Sequence, residues 1–153
     1  MPGAHHPETR MTRRNPMRRL TAPMFIVAVA ALHGLAGAAA PPAQPVPIPA
    51  ATPDELASLI GSGKWTIIEF GGEHCIPCKA MQPVLQELRD ALGGKGVIRN
   101  FWIQQYPAVA REHRIMVMPT QVVINPQGEE VLRHQGYWDA AEFRAALRRV
   151  GAL

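Results

Sequence analysis

Cys75 and Cys78 are the only cysteines in the chain, and they stand three positions apart in the run His74, Cys75, Ile76, Pro77, Cys78, Lys79. Residues 65–70 before them are rich in β-branched and aromatic types and read as a buried strand, while Met81, Val84, Leu85 and Leu88 recur at helical spacing within 76–92. The pair therefore sits between a strand and a helix, at the helix N-terminus. Unpaired backbone N–H groups and the helix dipole there favour a thiolate on the first cysteine. A spacing of i, i+3 brings the second sulfur to the same side of the first turn. Cys75 can then attack a substrate disulfide, and Cys78 can attack the resulting mixed disulfide and release the product. Three blander chemistries compete. A stapling disulfide would close so short a loop that its entropic effect on the unfolded chain is small. Structural zinc needs four ligands, and beyond the two sulfurs the motif offers only His74. Covalent haem attachment needs histidine where Lys79 stands.

The elements that must position this pair follow from the flanking sequence. Thr52, Pro53, Asp54 and Glu55 supply a capping hydroxyl, a first-turn proline and two acids, which predicts a helix ending near residues 61–63. A strand is expected over 97–103, a short helix over 107–114, two strands over 121–125 and 130–134 joined by a turn at Pro126, Gln127 and Gly128, and a last helix over 139–150. A strand–helix–strand unit followed by a hairpin gives an α/β fold, a mixed central sheet with helices on both faces. Glu69 interrupts an otherwise apolar strand on the side expected to face the cysteine-bearing helix. It is either a solvated residue at the strand end or a buried carboxyl whose raised pKa suits it to act as a base near neutrality.

Composition places this domain in a longer plan. Of 153 residues 47% are hydrophobic and 18% charged, which allows about one globular domain. The net charge of +4 belongs to the N-terminus, where Arg10, Arg13, Arg14, Arg18 and Arg19 cluster; from Ala39 onward eleven basic residues face eleven acidic ones. The electrostatic case for a nucleic-acid partner disappears with that cluster. An arginine-rich start, an apolar stretch over 24–32 and small residues over 36–40 form the three parts of an export signal, with a cut expected after Ala38. The 20–40 run is also long enough to stay as a membrane anchor. Six of the 13 residues over 41–53 are proline, which reads as an extended Pro/Ala-rich linker. The expected organisation is a signal peptide or anchor at 1–40, a linker at 41–53 and a domain at 54–153.

The segment holding Glu69, Phe70, Cys75, Pro77, Cys78, Lys79 and Pro83 resembles the active-site strand and helix of the thioredoxin family. Met118, Pro119 and Thr120 are similar to that family's hydrophobic residue, cis-proline and threonine, and Gly136 follows the last strand as in thioredoxins. The resemblance spans about 54–150 and implies a thioredoxin-like three-layer sandwich. It also implies a cis Pro119 against the dithiol, with the Met118 backbone free to pair with an extended substrate. Glu69 takes the place of the family's buried aspartate, which moves the proton when the resolving cysteine attacks. Three residues depart from the family pattern. Asn100 stands where a lysine is common. His74 replaces a tryptophan and Ile76 a glycine, and their effects on the Cys75 thiolate oppose one another, an imidazolium favouring it and an apolar neighbour disfavouring it. Pro83 reads as a helix kink, His113 and His134 as surface residues, and Met81, Met116 and Met118 as core or rim packing.

The function expected is that of an exported or membrane-tethered thiol:disulfide oxidoreductase acting on protein disulfides, more as a reductant than an oxidant, in the periplasm or on the outer face of the cytoplasmic membrane. It calls for no bound cofactor, metal or nucleic acid. In an oxidising compartment it does call for a membrane electron donor. Alternatives on the same fold are a cytochrome c maturation reductase, disfavoured by the compact span from Cys78 to Pro119, a disulfide oxidant, and a binding or metal-handling module without turnover.

Overall fold

The computed structural model describes residues 46–153, so the expected export signal or anchor and the first part of the linker lie outside the described residues. The elements run α1 (Pro53–Leu59), β1 (Trp65–Gly71), α2 (Ile76–Leu92), a single 3₁₀ turn (Gly93–Lys95), β2 (Gly96–Trp102), α3 (Pro107–Glu112), β3 (Thr120–Ile124), β4 (Glu130–Gln135) and α4 (Ala140–Arg149). Each helix starts where its local chemistry directs. Thr52 Oγ1 accepts the Glu55 amide at the head of α1, and an Asp139 carboxylate oxygen accepts the Ala141 amide at the head of α4. α2 runs on through Pro83, which removes one donor from its interior.

The strands order as β2-β1-β3-β4, with β2 parallel to β1 and both β3 and β4 added antiparallel. Side chains alternate across this sheet and build two cores. Ile67, Ile98 and Val123 face Met81, Leu85 and Leu88 of α2 and Phe143 and Leu147 of α4. Ile68, Phe70, Phe101, Val122 and Ile124 face the other way, toward Leu56 of α1 and Ala110 of α3. The expected mixed sheet with helices on both faces is present. Among the described residues no helix is long and apolar enough to cross a membrane.

Within the segment read as linker, residues 48–51 pack against the domain. Ile48 and Ala51 are buried, and Ala50 bridges Asn100 in parallel at the outer edge of β2. The reason lies in what proline keeps. It lacks an N–H but retains its carbonyl, and Pro49 O accepts the Asn100 amide at 2.9 Å while the Ala51 N–H returns a bond to Asn100 O at 2.8 Å. An edge strand leaves unpaired polar groups, and this segment covers them. His113 and His134 are likewise half-buried rather than surface residues: His113 lies against Phe70 with ring centroids 5.2 Å apart, and His134 stacks on Trp138 at 4.3 Å. Burial lowers the His113 pKa.

The Asn100 side chain donates to Ile48 O at 2.8 Å and to Gln82 Oε1 at 3.1 Å, pinning the arm to both β2 and α2. Replacing it by alanine leaves a buried carbonyl without its donor. Asn100→Ala should lower unfolding stability by roughly 1–3 kcal/mol. Urea titration of the full chain measures this, with amide exchange at Ala51 showing whether the arm has loosened; unchanged values for both would contradict the docking.

Candidate active site

Cys75 caps α2. Its backbone is extended and its sulfur accepts the Cys78 amide at 3.2 Å, while the Lys79 amide closes the first turn on Cys75 O at 3.0 Å. The two sulfurs are joined as a disulfide, with the Cα atoms 5.2 Å apart. Their surroundings differ sharply. Cys75 is partly exposed, whereas Cys78 is 1% exposed and belongs to the inner side of the helix. One sulfur is open to an incoming partner and the other is sealed beneath it.

The floor under Cys78 is backbone. A Cβ added to Gly71, the last residue of β1, would lie 2.9 Å from Cys78 Sγ and 3.7 Å from Glu69 Oε1. The space above Gly71 thus adjoins both the buried sulfur and the carboxylate. Glu69 is fully buried, not a solvated strand-end residue, and neither of its oxygens has a hydrogen-bond partner. Burial pushes its pKa from 4.5 up to about 8. Gln121, directly opposite on β3, pulls the other way, yet the two side chains do not meet in hydrogen-bond geometry.

The remaining residues singled out from sequence gather at the same end of the sheet. The Met118–Pro119 peptide is cis. Thr120 pairs with Phe70, so Pro119 stands just beyond it, where β1 gives way to the loop leading to Cys75. Pro119 is anchored from behind, its carbonyl accepting the Gly136 amide at 2.7 Å; Gly136 has φ 93°, a conformation suited to glycine. The Met118 backbone makes no hydrogen bond among the described residues, leaving its N–H and carbonyl free for an added strand, and Met118 Sδ accepts Gln104 Nε2 at 3.4 Å. His74 and Pro77 are exposed. Ile76 is 80% exposed and so projects from the surface instead of shielding Cys75. With Met116, Val117 and Tyr137, all exposed, it gives this end of the sheet an apolar rim.

Two hollows flank the dithiol. One of about 210 Å³ is lined by Ile48, Gly72, Cys78, Gln82, Asn100 and Trp102. The other, about 200 Å³, is lined by Glu73, His74, Trp102, Gln104 and Gln105. Among the described residues no three His, Cys, Asp or Glu side chains are placed together to hold a metal ion. Sequence reasoning missed Gln82, whose amide exchanges hydrogen bonds with Asn100, and Gln121, fully buried beside Glu69. Gln121 carried the same signal that marked Glu69, a polar residue inside an apolar strand.

Residues 52–151 match the family model of the thioredoxin-like domain. A thioredoxin-like protein of Synechocystis sp. is 32% identical over 90 residues, covering 59% of this chain and 85% of its own length. The thioredoxin of Staphylococcus epidermidis is 33% identical over 86 residues, covering 56% and 81%. Among solved structures, chloroplastic thioredoxin z superposes with a TM-score of 0.63 at 21% identity, over 71% of this chain and 97% of its own. Mitochondrial thioredoxin 3 of Saccharomyces cerevisiae gives a TM-score of 0.59 at 25% identity, over 67% and 94%.

The contact between Gly71 and the Cys78 sulfur yields a test by contrast. Gly71→Ala drives a methyl into Cys78 Sγ, whereas Gly72→Ala meets only the movable end of Gln104, 2.6 Å away. Gly71→Ala should destabilise the oxidised domain by about 1–3 kcal/mol, with Gly72→Ala costing less than 1. Denaturant titrations of the two variants measure the difference, and equal losses would contradict the seating of Cys78 on β1.

Proposed function

The chain belongs to the thioredoxin-like family and is a thiol:disulfide oxidoreductase, and from that premise we propose that it reduces protein disulfides in the cell envelope. The observation that carries this reading is the asymmetry of the pair: a partly exposed Cys75 capping α2, and a sealed Cys78 beside a buried carboxyl.

In the reduced enzyme the helix N-terminus and the Cys78 amide hold the Cys75 thiolate. Cys75 attacks one sulfur of the substrate disulfide; a Cys75–substrate bond forms, the substrate S–S bond breaks, and one substrate thiol leaves. Glu69 in its ionised form then takes the Cys78 proton. The Cys78 thiolate attacks Cys75 Sγ, the mixed disulfide breaks, and the second substrate thiol leaves. The substrate has gained two electrons and the enzyme is left as the Cys75–Cys78 disulfide. The free backbone of Met118 beside Pro119 pairs with the extended client segment, and the apolar rim receives its side chains. His74 and Ile76 flank the nucleophile, and Pro77 fixes the first turn between the two cysteines.

The reductive direction is supported by the likeness to thioredoxins and by Pro77. The envelope location rests on the arginine-rich start, apolar stretch and small residues over 36–40. In the periplasm or on the outer face of the cytoplasmic membrane, a reductant needs a membrane dithiol donor to regenerate Cys75 and Cys78. Fractionation followed by N-terminal sequencing tests the location. A periplasmic species beginning at Ala39, or a membrane-held one retaining residues 20–40 with the domain outside, agrees with it; a cytoplasmic chain starting before the arginines contradicts it.

Trapping tests the order of attack. Cys78→Ser should accumulate a mixed disulfide between Cys75 and client proteins, and Cys75→Ser should form none. Capture by the Cys75→Ser variant instead would reverse the assignment.

Glu69 also couples stability to pH. Its folded pKa of about 8 lies above the ordinary carboxylate value of 4.5. Between those values the unfolded chain releases a proton that the folded domain keeps, so Glu69 lowers stability as pH rises through that window. Glu69→Gln should therefore stabilise the domain little near pH 4 and by on the order of 4 kcal/mol near pH 8, while slowing the resolving attack. Denaturant titrations at the two pH values measure the first effect; equal gains at both would contradict a Glu69 pKa raised by burial.

A further inference from the structure

Four residues in register form a polar row across the whole sheet: Asn100 on β2 pairs with Glu69 on β1, Glu69 with Gln121 on β3, and Gln121 with His134 on β4. Asn100, Glu69 and Gln121 stand two positions from Ile98, Ile67 and Val123, which pack toward α2, so the row runs on the face that carries Cys78. Its two ends are occupied. The Asn100 amide donates to Ile48 O and to Gln82 Oε1 and accepts Gln82 Nε2, so it has nothing left to offer the carboxylate. His134 is stacked on Trp138, and its Nε2 lies 3.2 Å from Tyr137 O.

The two central residues are not satisfied. Glu69 and Gln121 are both fully buried, and all four of their side-chain heteroatoms lack partners. Directly opposed residues on antiparallel strands have Cβ atoms about 5 Å apart, within reach of one another's side chains. Buried polar groups left unpaired are costly, and these two complement each other in either protonation state. Once the side chains close on one another, the Gln121 N–H can donate to an ionised Glu69, and a protonated Glu69 can donate to the Gln121 carbonyl oxygen.

We infer that Gln121 is the positioning residue of the proton-transfer step, holding Glu69 beneath Cys78 and switching its amide between donor and acceptor as the carboxyl loses and gains its proton. The inference rests on the reading of Glu69 as the base for Cys78. When Cys78 gives up its proton, the proton moves onto a Glu69 oxygen and Gln121 turns its carbonyl toward the new O–H. When Glu69 releases that proton, the amide N–H returns. Gln121 touches no reacting sulfur and exchanges no proton of its own. Besides the sulfur of Cys78 on α2, the titratable side chains around the row are Glu73 and Lys79, which line the neighbouring hollow, and His134 at its β4 end.

The test uses the reduced full chain and the chromogenic disulfide dithiobis(nitrobenzoate), whose first thiol release reports capture by Cys75 and whose second reports resolution by Cys78. In Gln121→Met, close in size but without the amide, the midpoint of the resolving phase should move up by about one pH unit, the loss of one hydrogen bond to a charged group, with the capture phase unchanged. In the Glu69→Gln background the same substitution should shift nothing further, as expected if Gln121 acts only through Glu69. A resolving phase unmoved by Gln121→Met, or capture and resolution slowed alike, overturns the role of Gln121. A pH profile unmoved by Glu69→Gln itself overturns the underlying reading of Glu69, so the two failures are distinct. A measurement that needs no variant is the infrared carboxyl band of protonated Glu69 in the native chain. It should lie at the position of a hydrogen-bonded acid; a band at the position of a free acid contradicts the pairing.

Discussion

The seating of the Cys78 sulfur on the bare backbone of Gly71 is the constraint on which the site depends. No side chain separates the start of α2 from the end of β1, so the helix descends far enough to bury one sulfur and leave the other at its N-terminus. Two thiols of the same type, three residues apart, thereby become unlike groups. Cys75 gains the donors of an open helix end, and Cys78 gains an apolar surround and a carboxyl for a neighbour. The division of labour proposed for nucleophile and resolving thiol follows from this single close contact.

The same contact accounts for a carboxyl that stability alone would not retain. Glu69 is held without a hydrogen bond in the middle of the sheet, and the domain is less stable for it at any pH where the unfolded chain would ionise that group. A group kept at such cost, adjoining the buried sulfur, suits the proton transfer proposed for it. The polar row that contains it crosses both strands flanking β1; Asn100 is satisfied by the N-terminal arm and Gln82, so the cost falls on Glu69 and Gln121.

Much of this was legible in the chain. The β1–α2 unit follows from apolar periodicity and the cysteine spacing, the boundaries of α2 agree with the expected 76–92, and Glu69 stood out as a charge in an apolar run. What was not legible depends on partners distant in sequence. Residues 46–51 read as linker because proline is judged by the donor it lacks; their burial needs the carbonyls that proline keeps and the open edge of β2, 50 residues away. Gln121 carried the same polar-in-apolar signal as Glu69, but its bearing on the site needed the register that placed it opposite Glu69. His113 and His134 were assigned by the usual exposure of histidine, and aromatic neighbours from other elements, Phe70 and Trp138, overrode that preference.

The central claim is that Cys75 and Cys78 form a reversible two-electron couple poised for reduction. The most direct measurement is the equilibrium potential of the full chain against dithiothreitol and glutathione buffers, with Cys78→Ser as the control that cannot close the disulfide. A single reversible transition near about −270 mV is the expected result, and a value near about −120 mV would contradict the reductive direction by making the protein a disulfide donor. No reversible transition at all would contradict the redox account of the site itself.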